Sequence, residues 1–295
     1  MKKKRKLSWS DGIITLLLLL LFVITFYPFW NIFVLSLNDA SDSLKGGIML
    51  WPRVFTLDSY KAVFSNQELW TSLRVTVART VLGVPLNLTC NCSLAYVLSR
   101  RTMPGRKWIN LFFVATMYFS GGLIPTYMVI KSFGLLDNFL VFLLPGAYNV
   151  YWMILIRTYI DNIPDSLFEA AKLDGANDIQ VFLRVVIPSC KPVLATIALF
   201  SAIGHWNAWY DSYIYTSDPK LTTLSSVLVK ILNQYQTGDM MNAAQQMAAS
   251  AKKIPVSSES IRMATTMVVT IPIVIVYPFV QKYFISGIML GSVKE

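Results

Sequence analysis

No charged side chain occurs between Ile13 and Leu37, and this stretch limits the folds open to the chain more than any other feature. A helix rises about 1.5 Å per residue, so about 20 apolar residues cross the roughly 30 Å hydrocarbon core of a bilayer. The run is longer than that. It is also too long for the core of a secretory signal, about 7–15 residues, and no small-x-small cleavage site follows it. We therefore expect an uncleaved anchor. Similar apolar blocks recur, and the expected spans are Ile13–Leu37, Leu73–Leu98, Trp108–Ile130, Phe139–Ile160, Val193–Tyr215 and Met263–Phe284. Composition agrees: charged residues make up 14%, against about 25% in soluble domains, and the mean hydropathy is +0.52. The expected fold class is all-α integral membrane.

The net charge of +10 raises the question of nucleic acid, but its placement answers it. Lys2, Lys3, Lys4, Arg5 and Lys6 precede the first span, and Arg100, Arg101, Arg106 and Lys107 crowd one short loop. Basic residues beside spans stay in the cytoplasm and set topology, and no basic, aromatic-interleaved segment offers a nucleic-acid surface. The expected organisation is a cytoplasmic N-terminus (1–12), a six-span domain (13–284) and a cytoplasmic tail (285–295). Cytoplasmic loops at 99–107 and 161–192 then alternate with external ones at 38–72, 131–138 and 216–262. Arg74, Arg79 and Arg157 fall near span ends, where long cationic side chains can snorkel to water. Cys90, Cys92 and Cys190 form no disulfide framework or metal pattern and read as buried thiols.

The segment 161–192 carries the clearest local signals. Ser166 and Glu169 have capping-box spacing, and Gly175 fits the left-handed position that ends a helix. Asn177 and Gln180 repeat the start signal for a second helix, expected to stop before Pro188 and Pro192. Spacing alone leaves open whether this is more than a well-capped connector. Glu169-Ala170-Ala171, Asp174-Gly175-Ala176 and Val185-x-Ile187-Pro188, however, resemble the EAA loop of binding-protein-dependent ABC importer permeases. The stretches Phe119–Tyr127 and Gly204-His205-Trp206-Asn207-x-Trp209 are similar to the carbohydrate-uptake branch. The closing Ser286–Lys294 is similar to the tail of the maltose-type second permease.

The resemblance implies a translocation subunit in a bacterial inner membrane, both termini cytoplasmic, importing an oligosaccharide, with an acidic one left open; an importer permease for another solute class and an ion-driven secondary transporter are the alternatives. It implies a second permease as heterodimer partner, two ATPase subunits, an extracytoplasmic solute-binding protein, and membrane lipid around the spans. A coupling helix would meet the ATPase through Ser166, Glu169, Ala170, Ala171, Asp174, Gly175 and Ala176. Gly287, Gly291 and Lys294 would add a tail contact, and Asn242, Gln245 and Gln246 of the external loop would meet the binding protein. ATP and Mg would belong to the partners, because the chain has no Gly-Lys dipeptide and so no phosphate-binding loop. No catalytic or metal-binding set is expected.

The substrate path is less distinct. Trp206, Asn207, Trp209, Tyr210 and Asp211 combine polar groups with flat aromatic faces, which suits sugar rings. The same cluster suits an aromatic belt at the outer interface, and the residues alone leave both open. Gly121, Gly122 and Pro125 interrupt the third span, as helices lining cavities do and as close packing of small residues also would. Asn87 and Asn91 match glycosylation patterns inside a span and are set aside as such. His205, the one histidine, reads as a helix-to-helix hydrogen-bonding residue.

Overall fold

Long apolar runs become long helices in the computed structural model, which describes residues 9–241 and 256–292. Helix α1 spans Trp9–Ser36 and α4 spans Gln67–Ser99. Both are long and apolar enough to cross a membrane, and a third crossing arises if a bent helix pair counts as one span. Among the described residues no strand forms, and a single isolated bridge joins Asn38 to Phe55. The order continues through α2 (Ala40–Ser43), α3 (Asp58–Ser65), α5 (Arg106–Ala115), α6 (Leu123–Ser132), α7 (Val150–Asp161), α8 (Asp165–Leu173) and α9 (Asp178–Val181). After these come α10 (Ile187–Ser189), α11 (Lys191–Asn207), α12 (Tyr210–Tyr215), α13 (Leu224–Met241) and α14 (Ser258–Ser292).

The chain divides into two units: residues up to 67 with 230–271, and 68–229 with the residues from 272 onward. In the first, α1 is exposed along most of its length, as a helix apolar on every side is when lipid or another subunit faces it. The segment after it is anchored by side chains. Trp30 Nε1 donates to Leu50 O at 3.0 Å, Asn31 Nδ2 to Ile48 O at 3.0 Å, and the Ser36 and Tyr60 hydroxyls lie 2.8 Å apart. Asp42 accepts from Asn38 at 3.2 Å and from Arg53 at 3.0 Å. The Asn38 amide, aided by Arg53 and Lys45 and opposed by partial burial, holds the Asp42 carboxyl below the usual carboxylate range.

The second unit has its core where the last third of α4, α7 and α11 meet: Cys92, Ala95, Leu98, Met153, Ile156, Ile160, Cys190, Val193 and Ile197 are buried together. Lipid tails are as apolar as these side chains, so the contact is held by packing rather than by the hydrophobic effect. Cys92 and Cys190 are buried free thiols, while Cys90 is half-buried.

Three of the expected spans are not single helices. Trp108–Ile130 divides into α5 and α6 with the helix open over 116–122, where Gly122 adopts φ +79°. Phe139–Ile160 begins as a short 3₁₀ turn, Phe139–Phe142, and becomes α-helical only at Val150. Val193–Tyr215 breaks at Ala208–Trp209 between α11 and α12. The last span differs in the other direction: α14 runs on to Ser292, so Gly287 and Gly291 are helical residues rather than part of a separate tail. Lys2 to Lys6, Asn242, Gln245, Gln246 and Lys294 lie outside the described residues.

Candidate functional site

Each break in a spanning helix frees backbone N–H and C=O groups, and in hydrocarbon these must find partners within the protein. Here α4 supplies them. Its buried polar residues Ser72, Thr76, Arg79, Asn87 and Asn91 recur at intervals of three, four or eight, with Gly83 filling the gap, and so share one face of the helix. Asn87 Nδ2 donates to Gly146 O at 2.7 Å, Asn91 Nδ2 to Ala147 O at 3.4 Å, and Asn91 Oδ1 accepts from Asn149 N at 3.0 Å. These bonds close the gap ahead of α7. Thr76 Oγ1 accepts from Leu224 N at 2.9 Å, at the first residue of α13.

Arg79 performs the same service for the α11–α12 break and adds a charge pair. Its guanidinium donates to Ala208 O at 3.3 Å and grips Asp211 through two bonds, Nη1–Oδ1 at 3.1 Å and Nη2–Oδ2 at 2.5 Å. The Phe142 ring lies 4.8 Å from the guanidinium carbon. Snorkelling does not describe this residue. Arg79 is 2% exposed and is the thirteenth of 33 residues in α4, four residues or about 6 Å from the helix midpoint. Pairing with Asp211 is what makes a charge at that depth tolerable. Arg74, one turn earlier, is exposed, and Arg157 bonds Asn110 Oδ1 at 2.7 Å.

A hydrogen-bonded cluster continues from the pair. Asn87 Oδ1 accepts the Ser201 hydroxyl at 2.5 Å and lies 3.3 Å from His205 Nε2. Because Asn87 Nδ2 is committed to Gly146 O, its Oδ1 is the acceptor, and His205 carries its proton on Nε2. The imidazole presses against α4 where Gly83 has no side chain; a Cβ there would overlap the ring. Arg79, Asn87, Ser201, His205 and Asp211, with Trp152 and Tyr215, line a cavity of about 280 Å³. Of the residues the sequence offered for a substrate path, Asp211 lies here. Trp206 lines a separate apolar pocket with Thr80 and Leu199, and Asn207 is exposed at the end of α11. Arg79, Asn87, Asn91 and Trp152 were missed. The signal was present in the helical spacing of polar residues along one span.

At the Ser99 end of α4 lies the second feature. Helix α8 starts at Asp165 with Pro164 as its cap residue and no side-chain cap bond. The capping box expected from Ser166 and Glu169 is therefore absent: the helix begins two residues early, with Pro164 rather than Ser166 at the cap position, and Ser166 stands inside the first turn. The other end is as expected. Gly175 has φ +78°, its N–H bonds Lys172 O at 3.0 Å, and Ala176 N bonds Ala171 O at 2.9 Å, the paired bonds of a Schellman stop. Asn177 and Gln180 form a reciprocal capping box at α9. Pro188 does not end that helix. A π-helical turn over Phe182–Val186 widens the chain ahead of Pro188, and an 80° bend then leads into α11.

Arg100 fastens α8 and α9 to α4. Its guanidinium lies 4.4 Å from the Tyr96 ring and 5.0 Å from the Phe168 ring, pairs with Asp178 at 3.5 Å, and bonds the Tyr96 hydroxyl. Between these elements runs a polar groove of about 780 Å³, lined by Arg101, Asp165, Glu169 and Lys172 among others. Glu169, Ala170, Asp174 and Gly175 are exposed, while Ala171 and Ala176 are half-buried.

The chain matches the profile of the family described as "Binding-protein-dependent transport system inner membrane component" over residues 4–289. The chain belongs to this family. The permease is 37% identical over 286 residues to the polygalacturonan/rhamnogalacturonan transport system permease protein YtcP of Bacillus subtilis (strain 168), covering 96% of this chain and 98% of that protein. It is 38% identical over 275 residues to protein LplC of the same organism, covering 92% and 90%. Its structure superposes with a TM-score of 0.84, at 33% identity, on a chain of the crystal structure of a bacterial ABC transporter involved in the import of the acidic polysaccharide alginate. That match covers 95% of this permease and 100% of that chain. The carbohydrate-branch resemblance seen in the sequence is thus borne out, and the permease is a membrane transport subunit of ABC importers, not a catalytic protein.

Proposed function

We propose that this permease is the translocation subunit of an ATP-driven importer for an acidic oligosaccharide. The observation that carries the cargo class is the near full-length similarity to a polygalacturonan/rhamnogalacturonan permease and to a chain of an alginate importer. A buried arginine lining an intramembrane cavity supports it, because a cargo carboxylate needs a cation once water is left behind. The chain crosses the membrane six times in this reading, some crossings as broken helices, with both termini cytoplasmic. It pairs with a second permease, receives cargo from an extracytoplasmic binding protein and rests on two ATPase subunits that hold ATP and Mg. Helix α8 is the coupling helix: exposed Glu169, Ala170 and Gly175 meet the ATPase, and Arg100 passes the movement into α4. Gly287 and Gly291 at the end of α14, with Lys294, make the second ATPase contact, and Asn242, Gln245 and Gln246 face the binding protein. The aromatic Trp206, Trp209 and Tyr210, with Asn207, flank the path on the external side of the Arg79 cavity. An ion-driven carrier is disfavoured because Asp211, the carboxylate lining that cavity, is ion-paired with Arg79 rather than open to a coupling ion.

The test is reconstitution of the chain with its partner permease, ATPase and binding protein in proteoliposomes. Labelled trigalacturonate is expected to accumulate only with internal ATP and external binding protein. Accumulation of neutral trisaccharides alone would overturn the acidic cargo, and uptake on an ion gradient without ATP would overturn the class.

A further inference from the structure

We propose that Arg79 is a carboxylate-exchange site, at which a uronate carboxylate of the cargo takes the guanidinium from Asp211 as a sugar ring passes the cavity. The proposal rests on the acidic-cargo reading above and adds where, and by what contact, the acid is held.

A carboxylate leaving water for a low-dielectric interior needs a cation and hydrogen-bond donors. Among the residues whose side chains are described, Arg79 is the one lysine or arginine that is buried, and it lines a cavity. At about 280 Å³ that cavity is just below the roughly 300–1,000 Å³ of drug-sized pockets, which suits one sugar ring rather than a chain. Trp152 and Tyr215 add aromatic side chains to its lining and His205 a polar group, a composition suited to a pyranose.

The existing pair is built unequally. The Arg79 side chain is 3% exposed and that of Asp211 22%, so the carboxylate is the partner an incoming group can reach. Asp211 also belongs to the six-residue helix α12, directly after the break at Ala208–Trp209, whereas Arg79 is fixed in the long α4. The guanidinium has unused capacity. It offers five N–H donors, and its buried Nε–H has no acceptor. An incoming carboxylate can be taken by the same planar fork that now holds Asp211. One carboxylate replaces another, so the number of charge-assisted bonds to Arg79 is preserved. Asp211 moves with α12 toward the open side, and its return displaces the cargo.

The experiment measures trigalacturonate uptake by the complete reconstituted transporter carrying either Arg79→Met with Asp211→Leu, or Asp211→Asn alone. The double variant removes both charges together and leaves no buried ion unpaired. It is expected to lose uptake at least tenfold while ATPase stimulation by loaded binding protein stays within twofold. Asp211→Asn weakens the competitor, and the KM for trigalacturonate is expected to fall severalfold. Wild-type uptake in the double variant, or an unchanged or raised KM in Asp211→Asn, would overturn the exchange site and leave the acidic-cargo reading standing. If the double variant fails to assemble, Asp211→Asn decides by itself, since a purely structural pair gives it no reason to lower KM. A wild-type transporter that moves neutral trisaccharide but no trigalacturonate would instead overturn the reading beneath.

Discussion

Replacing Gly83 by alanine tests how closely α4 and α11 are fitted. A Cβ at position 83 would overlap the Nε2, Cε1 and Cδ2 atoms of His205, a ring held by Asn87. Forcing a group into packed space costs about 1–3 kcal/mol. Losing the His205–Asn87 bond adds about 0.6 kcal/mol, the average for hydrogen bonds between membrane helices. Alanine is the better helix former by about 1 kcal/mol, which offsets part of this. The net expectation is a destabilisation of about 0.5–2.5 kcal/mol, read as a lower midpoint in an SDS titration of the purified complex. Gly204 is the internal control: it also lies within a helix, but nothing lies within 4 Å of the Cβ it would gain. Gly204→Ala should therefore be neutral or gain up to about 1 kcal/mol from helix propensity alone. His205→Ala combined with Gly83→Ala should recover most of the packing loss. A Gly83→Ala complex as stable as the Gly204→Ala one would refute the close-fit argument.

Other expectations concern the α8–α9 segment and the segment that follows α1. Gly175→Val places a β-branched side chain at φ +78° and should loosen the helix stop by about 1–2 kcal/mol or more. Uptake should fall several-fold at constant ATPase activity, whereas Gly175→Asn, which tolerates the left-handed region, should stay near wild type. Arg100→Ala removes the link between α4 and the α8–α9 segment, and the ratio of sugar moved to ATP hydrolysed should drop while assembly persists; an unchanged ratio would count against that route. Asp42 has a lowered folded pKa. Its contribution is therefore complete above its unfolded value of about 3.9 and disappears as pH falls through the lower folded one. Pepsin cleavage within 38–57, taken relative to Asp42→Asn at the same pH, should rise as pH falls below about 4.

The parts of this architecture legible in the sequence are those set by neighbours along the chain. The charge-free run of α1, the Gly175 stop and the Asn177–Gln180 box are local patterns, and each stands in the structure. The Ser166–Glu169 box has the same spacing but does not form, because Pro164 takes the cap position two residues earlier. The breaks and the polar face of α4 were harder to see. Arg79 looks like a snorkelling cation and Asn87 and Asn91 like sequons when each is taken singly. Their meaning depends on carbonyls freed 56 to 129 residues further along. A polar stripe with helical period inside an apolar span is nonetheless a written signal, and it points to broken backbone elsewhere in the bundle.

The distance in sequence between Arg79 and Asp211 also has a meaning in time. The two are separated by 132 residues, and ribosomes add roughly 5–20 residues per second. The arginine is therefore made on the order of ten seconds before the aspartate that neutralises it. Over that interval α4 carries an unpaired cation four residues from its midpoint, at a cost of about 2.5–3.5 kcal/mol on insertion scales. The pair that offsets this cost can form only after the chain has been extended past Asp211.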